Sequence, residues 1–354
     1  MPSKRIALVM IVRNEARSIA RCLQSVRPWV DEMIVLDTGS DDDTVSIAES
    51  LGAKVHVFTW CDDFSAARNA ALALSSADWN LVLDADEWII SGGETLAALR
   101  HVNEEFIGVL RLDDEAEVEG QRQVSKTWLS RILPQHVRYV GRIHEQPVSP
   151  GMSRRQLALV VGHDGYLEQH KAVKQGRNEV LLRMELARNP EDAYFNYQLG
   201  KELEIYARFA EAVTCYEKAL LHTEAEANWR HDLVVRSLFS LKKAGKFERA
   251  LHLAEAEMPY WQHSPDFFFA IGDVLLDWAI ADPAQAEVLL PMIASSWERC
   301  LEIGDNPTLN STVIGRGSFL AAKNLHAFHL SLGQTDQAEY FANLERELLR
   351  QRSI

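Results

Sequence analysis

Short apolar runs alternate with stretches of helical periodicity along the first 90 residues of the chain. The run Ile6–Val12 predicts a buried strand, and residues 15–26 carry apolar side chains at helical spacing. Further strands are predicted at residues 33–36, 54–58 and 79–83, and further helices at residues 43–51 and 64–74. Strands that alternate with helices in this way are typical of a parallel sheet with crossover helices, so this part of the chain predicts a doubly wound α/β fold.

The pattern changes after Glu87, where shorter apolar segments predict strands of antiparallel or mixed type at residues 106–112, 121–132 and 138–140. An acidic run at residues 113–117 separates the first two of these segments. A charge run of this kind is interpreted as a solvated loop rather than as a site. The first domain is expected to close near residue 166, and it is assigned to residues 1–170.

From about residue 171 onward the pattern is almost wholly helical. Four residues in the segment 196–220 stand at the offsets where tetratricopeptide repeats carry their small and aromatic packing residues: Gly200, Ala212, Tyr216 and Ala219. The turn at residues 207–212 recurs at residues 245–250 and 333–338. The second domain, residues 171–354, is therefore predicted to be an irregular array of helix pairs, an architecture that commonly presents a concave surface to partners.

Composition narrows the class of protein. With 354 residues, 47% hydrophobic and 25% charged, the chain is expected to form at least two globular domains. A formal net charge of −14 argues against a general surface for nucleic acid or acidic membranes. The four cysteines are far apart, which fits reduced thiols in a cytoplasmic protein. No stretch approaches the roughly 20 apolar residues of a membrane-spanning helix, and the apolar run Ile6–Val12 is interpreted as a strand rather than as the core of a signal peptide.

Two aspartates, Asp84 and Asp86, follow the fourth predicted strand. Two residues at positions i and i+2 of an extended strand project to the same side, and ligands bind at the carboxyl ends of parallel strands. Carboxylate oxygens at this place suit Mg²⁺ or Mn²⁺, which can coordinate phosphate oxygens at the same time. We expect a metal site here; the alternative is a surface loop that binds nothing.

Four segments in this order resemble the family 2 glycosyltransferases of GT-A fold, and the resemblance covers residues 4–170. They are IALVMIVRNEARSIARCLQSV, DEMIVLDTGSDDDTVSIAESLGAKV, FSAARNAAL and WNLVLDADEW. The resemblance implies a Rossmann-like mixed sheet with helices on both faces, here followed by an all-α, tetratricopeptide-like domain. Neither a P-loop nor a dinucleotide-binding fingerprint is present in the sequence, so NTP hydrolysis and hydride transfer lose their usual support.

The resemblance also implies roles around the nucleotide. Val12, Arg13 and Glu15 would border it, with Glu15 near the ribose. Asp37 would accept a hydrogen bond from the base, as a carboxylate can from uracil N3. Arg68 would lie near the base or the diphosphate. The alternatives are a helix cap for Asp37 and a surface ion pair for Arg68.

The same resemblance assigns Asp84 to a ribose or sugar contact that also belongs to the metal site, and Asp86 to the main metal ligand. Residues 139–147 and 161–166 resemble two motifs of a subgroup in which such a catalytic domain precedes helical repeats. His163 is the candidate third ligand, which suits Mn²⁺ better than Mg²⁺. The alternative for His163 is a hydrogen-bonded core histidine.

An inverting transfer needs a base that takes the proton of the acceptor. Glu145 is the preferred candidate, with His144 orienting it or contacting phosphate. Glu87 and Asp164 are competing candidates.

These observations predict a cytoplasmic, metal-dependent, inverting glycosyltransferase that uses a nucleoside-diphosphate sugar, expected to be a UDP-sugar, with Mn²⁺ or Mg²⁺. A peptide or protein acceptor is preferred, because similar architectures include the peptide S-glycosyltransferases of glycopeptide bacteriocins and a helical groove suits an extended peptide. A saccharide or lipid-linked acceptor of envelope polysaccharide synthesis is the second choice, with the helices serving homodimer formation or docking to a membrane complex. The rival from another class is a scaffold or binding protein whose catalytic half has decayed.

Overall fold

The computed structural model describes residues 3–118, 121–163, 176–225 and 227–352. They belong to two compact units, Met1–Glu185 and Leu186–Ile354. Within the described ranges, no helix is both long enough and apolar enough to cross a membrane.

The first unit is built on a mixed sheet. The strands of this unit are β1 Ile6–Val12, β2 Glu32–Asp37, β3 Lys54–Val57, β4 Trp79–Val82, β5 Glu87–Ser91, β6 Phe106–Val118, β7 Gln121–Pro134, β8 Arg138–Val140, β9 Gln146–Val148 and β10 Ser153–His163. Of these, β8 and β9 form a separate two-stranded ribbon. The strand order in the sheet is β3-β2-β1-β4-β7-β6-β10-β5. The first four strands are mutually parallel, whereas β7 runs antiparallel to β4 and β6, and β10 is parallel to β6 but antiparallel to β5.

Helices cover both faces of this sheet. The helices that begin in this unit are α1 Ile19–Val26, α2 Thr44–Ser50, α3 Phe64–Ala73, α4 Glu94–Leu99 and α5 Arg177–Arg188. On one face, Leu8 and Met10 of β1 share a core with Leu23 of α1. On the other face, Val9 of β1 shares a core with Leu72 of α3. Because both faces are covered, β1 reads as a continuous apolar run without polar alternation, as buried parallel strands do.

The acidic run at residues 113–117 lies in a strand, so its prediction as a solvated loop is wrong. β6 continues through it, with β7 as hydrogen-bonded partner on one side and β10 on the other as far as Asp114. The backbone of the whole run is therefore paired with β7, and that of its first two residues also with β10. Arg111 offsets part of the charge, since its Nε donates to Asp113 Oδ1 at 2.7 Å.

The second unit consists of helix pairs, as predicted. The described residues contain α6 Ala193–Ile205, α7 Phe209–His222, α8 Arg230–Lys243, α9 Phe247–Glu257, α10 Pro265–Ala281, α11 Ala286–Ile303, α12 Phe319–Ser331 and α13 Thr335–Arg352, with a 3-10 turn Pro283–Gln285 and a short extended segment Thr312–Val313. Gly200 of α6 lies against Tyr216 of α7, where an added β-carbon would come within 2.3 Å of the tyrosine ring. The predicted small-against-aromatic packing of this pair is thus confirmed.

Three of the helix pairs share one turn geometry. At the first position of the turn Ala207, Gly245 and Gly333 have φ of +56°, +68° and +71°. The following residue donates its N–H to the carbonyl five positions earlier, in the pairs Arg208 to Leu203 at 3.0 Å, Lys246 to Leu241 at 2.9 Å and Gln334 to His329 at 3.0 Å. This bond closes the helix end in the manner of a Schellman motif. The recurring turns of the sequence are therefore three copies of one helix stop.

The two units divide at Glu185, inside α5. The predicted boundary at residue 170 lies outside the described residues. The first part of α5 contacts the first unit: Arg177 lies over the ring of Phe64 with its guanidinium carbon 5.3 Å from the centroid, and Glu185 is 3.5 Å from Arg142.

Candidate active site

Three loops leave the sheet at the same edge. β1, β2 and β4 are parallel, with Val12 opposite Asp37 and Val9 opposite Val82. The segments that follow these strands are residues 13–16, 38–43 and 83–86, which carry three of the sequence motifs. Since ligands bind at the carboxyl ends of parallel strands, this edge is the candidate active site.

The loops after β1 and β2 are joined by hydrogen bonds. The Asn14 N–H donates to Ser40 Oγ at 2.9 Å, and Asn14 Oδ1 accepts from the Asp41 N–H at 2.9 Å. The Glu15 N–H donates to Thr44 Oγ1 at 2.7 Å. Asn14 has φ of +57°, a left-handed conformation that asparagine tolerates better than most residues. The loops at residues 13–16 and 38–43, which are predicted to border a nucleotide, are therefore held together by hydrogen bonds.

Asp37 shapes the turn that follows β2. It is 4% exposed, and its carboxylate accepts from the N–H groups of Gly39 and Ser40, both at 3.1 Å. This is the capping role that the sequence left open, although it caps a turn rather than a helix. An ionised carboxylate has about four acceptor positions, so the contact to a base stays a prediction. Val12 is buried beside it, and Arg13 is exposed.

Asp84 lies between two arginines. Its Oδ1 accepts from Arg68 Nη2 at 2.8 Å and its Oδ2 from Arg131 Nη2 at 2.9 Å. Burial opposes ionisation of this carboxyl, but the charges of Arg68 and Arg131 outweigh it and hold the pKa of Asp84 well below its usual range. Asp84 is therefore a fixed carboxylate.

Arg68 of α3 links this carboxylate to Glu145. Its Nε donates to Glu145 Oε1, and the side chain of Glu145 is 8% exposed. The Nη1 of Arg68 is buried without a hydrogen-bond partner in the described part of the chain. A buried guanidinium nitrogen of this kind is costly unless a water or a ligand satisfies it. Arg68, Asp84 and Glu145, which the sequence predicted separately, thus meet in one ion-pair network.

Arg131 is a site residue that the sequence reasoning missed. It lies in β7, and besides Asp84 it contacts Glu87 Oε1 at 3.1 Å. The signal was present in the sequence: Arg131 is a lone cation between the apolar pairs Trp128-Leu129 and Ile132-Leu133. A charge is not kept in such a strand without a partner.

Glu87 closes the turn that carries the two aspartates. It is 4% exposed, and its Oε2 accepts from the Asp84 N–H at 2.9 Å. Burial raises the pKa of Glu87 to about 7 against the opposing charge of Arg131. Both oxygens of this candidate base are thus engaged in holding the turn. Asp164, the other competitor, lies outside the described residues.

Asp86 faces His163, as a shared metal site requires. Asp86 Oδ2 is 3.3 Å from His163 Nε2, and His163 Nδ1 is 2.9 Å from Asp114 Oδ1. Burial opposes the charged imidazole, but hydrogen bonds to Asp114 and Asp86 outweigh it and raise the pKa of His163 to about 10. Without a metal the ring is therefore a cation between two carboxylates. Asp114 belongs to the acidic run that the sequence reasoning set aside.

This pair fits a divalent cation in part. Ligands about 2.1 Å from an octahedral ion and at right angles to each other are about 3 Å apart, close to the 3.3 Å between Asp86 Oδ2 and His163 Nε2. Among the described residues no group of three histidine, cysteine or acidic side chains is already gathered in a way that could hold a metal. Diphosphate oxygens and water would complete the shell, as is usual for Mg²⁺.

His144 precedes Glu145 in an uncommon backbone conformation, with φ of +51°. Its carbonyl accepts from Gln146 Nε2 at 3.2 Å. A left-handed residue that is not glycine costs about 1 to 3 kcal/mol and tends to occur at functional sites. The structure places Glu145 in the ion-pair network, and the role of His144 stays a prediction.

The chain is similar to a family of glycosyltransferases and to a TPR repeat-containing protein. Residues 7–92 match the family model described as Glycosyl transferase family 2. A TPR repeat-containing protein of Synechococcus elongatus is 33% identical over 270 residues, 72% of this chain and 66% of that protein. The SPbeta prophage-derived glycosyltransferase SunS of Bacillus subtilis is 28% identical over 279 residues, 76% of this chain and 66% of that protein. Both alignments are longer than the first unit, so the similarity continues into the helical unit.

Among solved structures, glucosyl-3-phosphoglycerate synthase from Mycobacterium tuberculosis, in complex with Mn²⁺, uridine diphosphate and glucosyl-3-phosphoglycerate, is 25% identical. The match covers 31% of this chain and 44% of that chain, with a TM-score of 0.27. The present chain spans 66% of the length of the two curated relatives.

Proposed function

Because the first unit of this chain is a glycosyltransferase family 2 domain of GT-A fold, we propose that the protein transfers a sugar from a nucleoside-diphosphate sugar to an acceptor, with inversion of the anomeric carbon. The observation that carries the proposal is the position of Asp84 and Asp86 after β4, with Arg68 and Arg131 fixing the first aspartate and His163 facing the second. This arrangement offers carboxylates toward a cation while the buried arginines keep the site from accumulating negative charge.

The donor is proposed to be a UDP-sugar. The loops after β1 and β2 are joined by hydrogen bonds. The first of these loops carries Arg13 and Glu15, and Asp37 ends β2 opposite Val12. Asp37 has acceptor capacity left for the N3–H of uracil, and Glu15 is proposed to lie near the ribose. The reaction is proposed to take place in the cytoplasm, because the four cysteines of this chain are free thiols, as is usual in that reducing compartment.

Asp86 and His163 are the residues proposed to hold Mn²⁺ or Mg²⁺, with Asp84 beside them. When bound, the cation would stabilise the negative charge that develops on the departing diphosphate. The unpartnered Nη1 of Arg68 is proposed to contact the diphosphate directly or through water.

Glu145 is proposed to take the proton of the acceptor nucleophile. Arg68 engages its Oε1 and so fixes the carboxylate in one orientation, which leaves Oε2 as the oxygen proposed to act as base. Positioned proton transfer of this kind is worth typically about 10² to 10⁴ in rate.

The acceptor is proposed to be a peptide or protein. Support comes from the helical array itself, which suits an extended chain, and from the similarity to a glycosyltransferase that continues into this array.

Mass spectrometry tests the proposal directly. The full chain is incubated with a panel of UDP-sugars, Mn²⁺ and a peptide library, in parallel with the variant Asp86→Ala. We expect a peptide to gain one hexose or N-acetylhexosamine mass with the native protein and at least a hundredfold less product with the variant. Equal activity in Asp86→Ala would remove the metal assignment. Absence of any transfer, and of any thermal stabilisation by UDP with Mn²⁺, would favour a scaffold.

A further inference from the structure

His163 lies inside the sheet rather than on a free loop, and its position is fixed by two neighbouring strands. In β10 it stands opposite Asp114 of the parallel strand β6 and opposite Glu87 of the antiparallel strand β5. The side chains of His163, Asp114 and Asp86 are 17%, 16% and 15% exposed. These groups therefore form a row, Asp114 to His163 to Asp86, with little access to water.

Resting on the proposed function, we infer that Asp114 is a positioning residue that fixes the ring orientation and tautomer of His163, so that Nε2 is directed to the cation held with Asp86. A neutral imidazole has one donor and one acceptor nitrogen. In the neutral ring that binding to a metal requires, Nδ1–H would donate to Asp114, and the lone pair on Nε2 would point to the side of Asp86. Asp114 is not proposed as a ligand of the cation.

The physical basis is the hydrogen bond on the far side of a ligating histidine. A carboxylate there holds the ring in place and makes the ligating nitrogen more basic, and its loss typically lowers metal affinity about 10- to 100-fold. The distance of 2.9 Å between His163 Nδ1 and Asp114 Oδ1 already meets this requirement. Asp114, one residue of the acidic run in β6, is thus assigned a role that the composition of the run alone did not indicate.

A structural role alone would look different. If Asp114 served only to pair with His163 inside the sheet, its removal would lower the stability of the fold without changing the affinity of the remaining site for a cation. Asp113 provides a matched control, because it is the neighbouring aspartate of the same strand and pairs with Arg111 instead. Its substitution removes the same charge from the protein.

The experiment measures Mn²⁺ binding to the full chain in the presence of UDP, by electron paramagnetic resonance of free Mn²⁺. The variants are Asp114→Ala, Asp114→Asn, Asp113→Asn, His163→Ala and the double variant Asp114→Ala/His163→Ala. We expect Asp114→Ala to weaken Mn²⁺ binding 10- to 100-fold and Asp114→Asn less, because asparagine keeps an acceptor for Nδ1–H but no charge. Asp113→Asn should stay within twofold of the native protein.

The double variant separates positioning from a direct contact. If Asp114 acts through the imidazole, its removal should weaken Mn²⁺ binding no further once His163 is absent. Native affinity in folded Asp114→Ala, an additive loss in the double variant, or an equal loss in Asp113→Asn would each overturn the inference.

Binding and transfer are measured separately, so the two proposals fail in different ways. Mn²⁺ affinity that depends on Asp114, in a protein that transfers no sugar, would support the inference and reject the proposed function. Sugar transfer that continues in excess chelator, with no Mn²⁺ bound, would reject the inference and keep a metal-independent transferase.

Discussion

Arg131 places one guanidinium nitrogen between two carboxylates. The variant Arg131→Lys tests whether the fold needs the guanidinium geometry or only the positive charge. Lysine keeps the positive charge, but its compact, strongly hydrated ammonium on a flexible stem holds the position of Nη2 between Asp84 and Glu87 less firmly than the planar guanidinium does. We expect Arg131→Lys to lower the free energy of unfolding by about 1.5 to 3 kcal/mol, the range for hydrogen bonds to charged groups. Urea denaturation of the metal-free protein measures this change.

The control for that measurement is Arg138→Lys, since the guanidinium of Arg138 is exposed and donates to the backbone carbonyls of Gln135 and Val137. Its effect should stay within about 0.5 kcal/mol. Equal stabilities of the two variants would mean that the guanidinium geometry of Arg131 contributes nothing to the fold beyond its charge.

Removing the charge of Glu145 is expected to abolish its action as a base while keeping its hydrogen bond to Arg68. Glutamine at this position keeps an oxygen that can accept from Arg68 Nε, so the loop should hold its conformation. We expect Glu145→Gln to lower kcat about 10²- to 10⁴-fold with little change in KM for the donor. Steady-state kinetics with the acceptor identified by mass spectrometry checks this, and an unchanged kcat would transfer the role of base to another carboxylate.

The sequence predicted site residues that belong to short motifs and missed those that depend on strand pairing. Asp84, Asp86 and Arg68 stand out from their neighbours. By contrast, Arg131 is 47 residues from Asp84, and Asp114 is 49 residues from His163. Which residues face each other across strands depends on register, and a shift of one residue would turn each side chain to the other face. That register is not written in any local pattern.

At the scale of elements, the turn at Ala207 is the weakest of three equivalent helix stops. Ala207 adopts φ of +56°, whereas the other two copies of the turn carry glycine at this position. A β-carbon in the left-handed region costs roughly 1 to 2 kcal/mol. We therefore expect Ala207→Gly to raise the free energy of unfolding by about 0.5 to 1 kcal/mol, measured by chemical denaturation.

The matched control is Ala327→Gly, at an exposed position inside α12. Glycine there should lower the free energy of unfolding by about 1 kcal/mol, because glycine loses more conformational entropy than alanine when it is fixed in a helix interior. The two alanine-to-glycine substitutions are thus predicted to change the free energy of unfolding in opposite directions. Destabilisation by Ala207→Gly would contradict the assigned turn geometry.

A buried acid between α6 and α8 gives the helical unit a defined pH dependence. Asp232 accepts from the Tyr197 hydroxyl and from Arg236 Nε, the latter at 2.8 Å. Burial opposes its ionisation, but the charges of Arg236 and Lys201 outweigh it and lower the pKa of Asp232. A lowered folded-state pKa contributes stability that is complete above the unfolded pKa of about 3.9 and disappears as the pH falls through the folded value.

Asp232→Asn should therefore destabilise the protein at pH 7 and reduce the loss of stability on acidification below about pH 4. Urea denaturation at pH 7 and near pH 3 measures both effects. An equally steep acid limb in the variant would show that other carboxylates determine it.

Element prediction succeeded where one periodicity dominates and failed where charge interrupts it. β1 was predicted at its observed bounds, and the recurring turns indicated the helix pairs. β6 was cut short at its acidic run, because local composition cannot show that β7 and β10 flank the strand and satisfy its backbone.

At the scale of the whole molecule, net charge sets a condition on donor binding. A chain with a formal charge of −14 repels a diphosphate over a distance of about one Debye length, 8 to 10 Å at ordinary ionic strength. Arg68 and Arg131 are already paired with Asp84, Glu87 and Glu145, so these two arginines offer little uncompensated charge. The cation would therefore supply most of the positive charge that a diphosphate meets.

This argument predicts that UDP and a divalent cation bind cooperatively. We expect UDP in excess chelator to leave the melting temperature nearly unchanged, and UDP with Mn²⁺ at a hundred times the dissociation constant to stabilise the protein by about 2.7 kcal/mol. Asp86→Asn should abolish the stabilisation that depends on Mn²⁺, while Asp113→Asn should keep it. Equal stabilisation by UDP with and without the cation would show that the paired arginines suffice, and the acidic surface would then not govern donor binding.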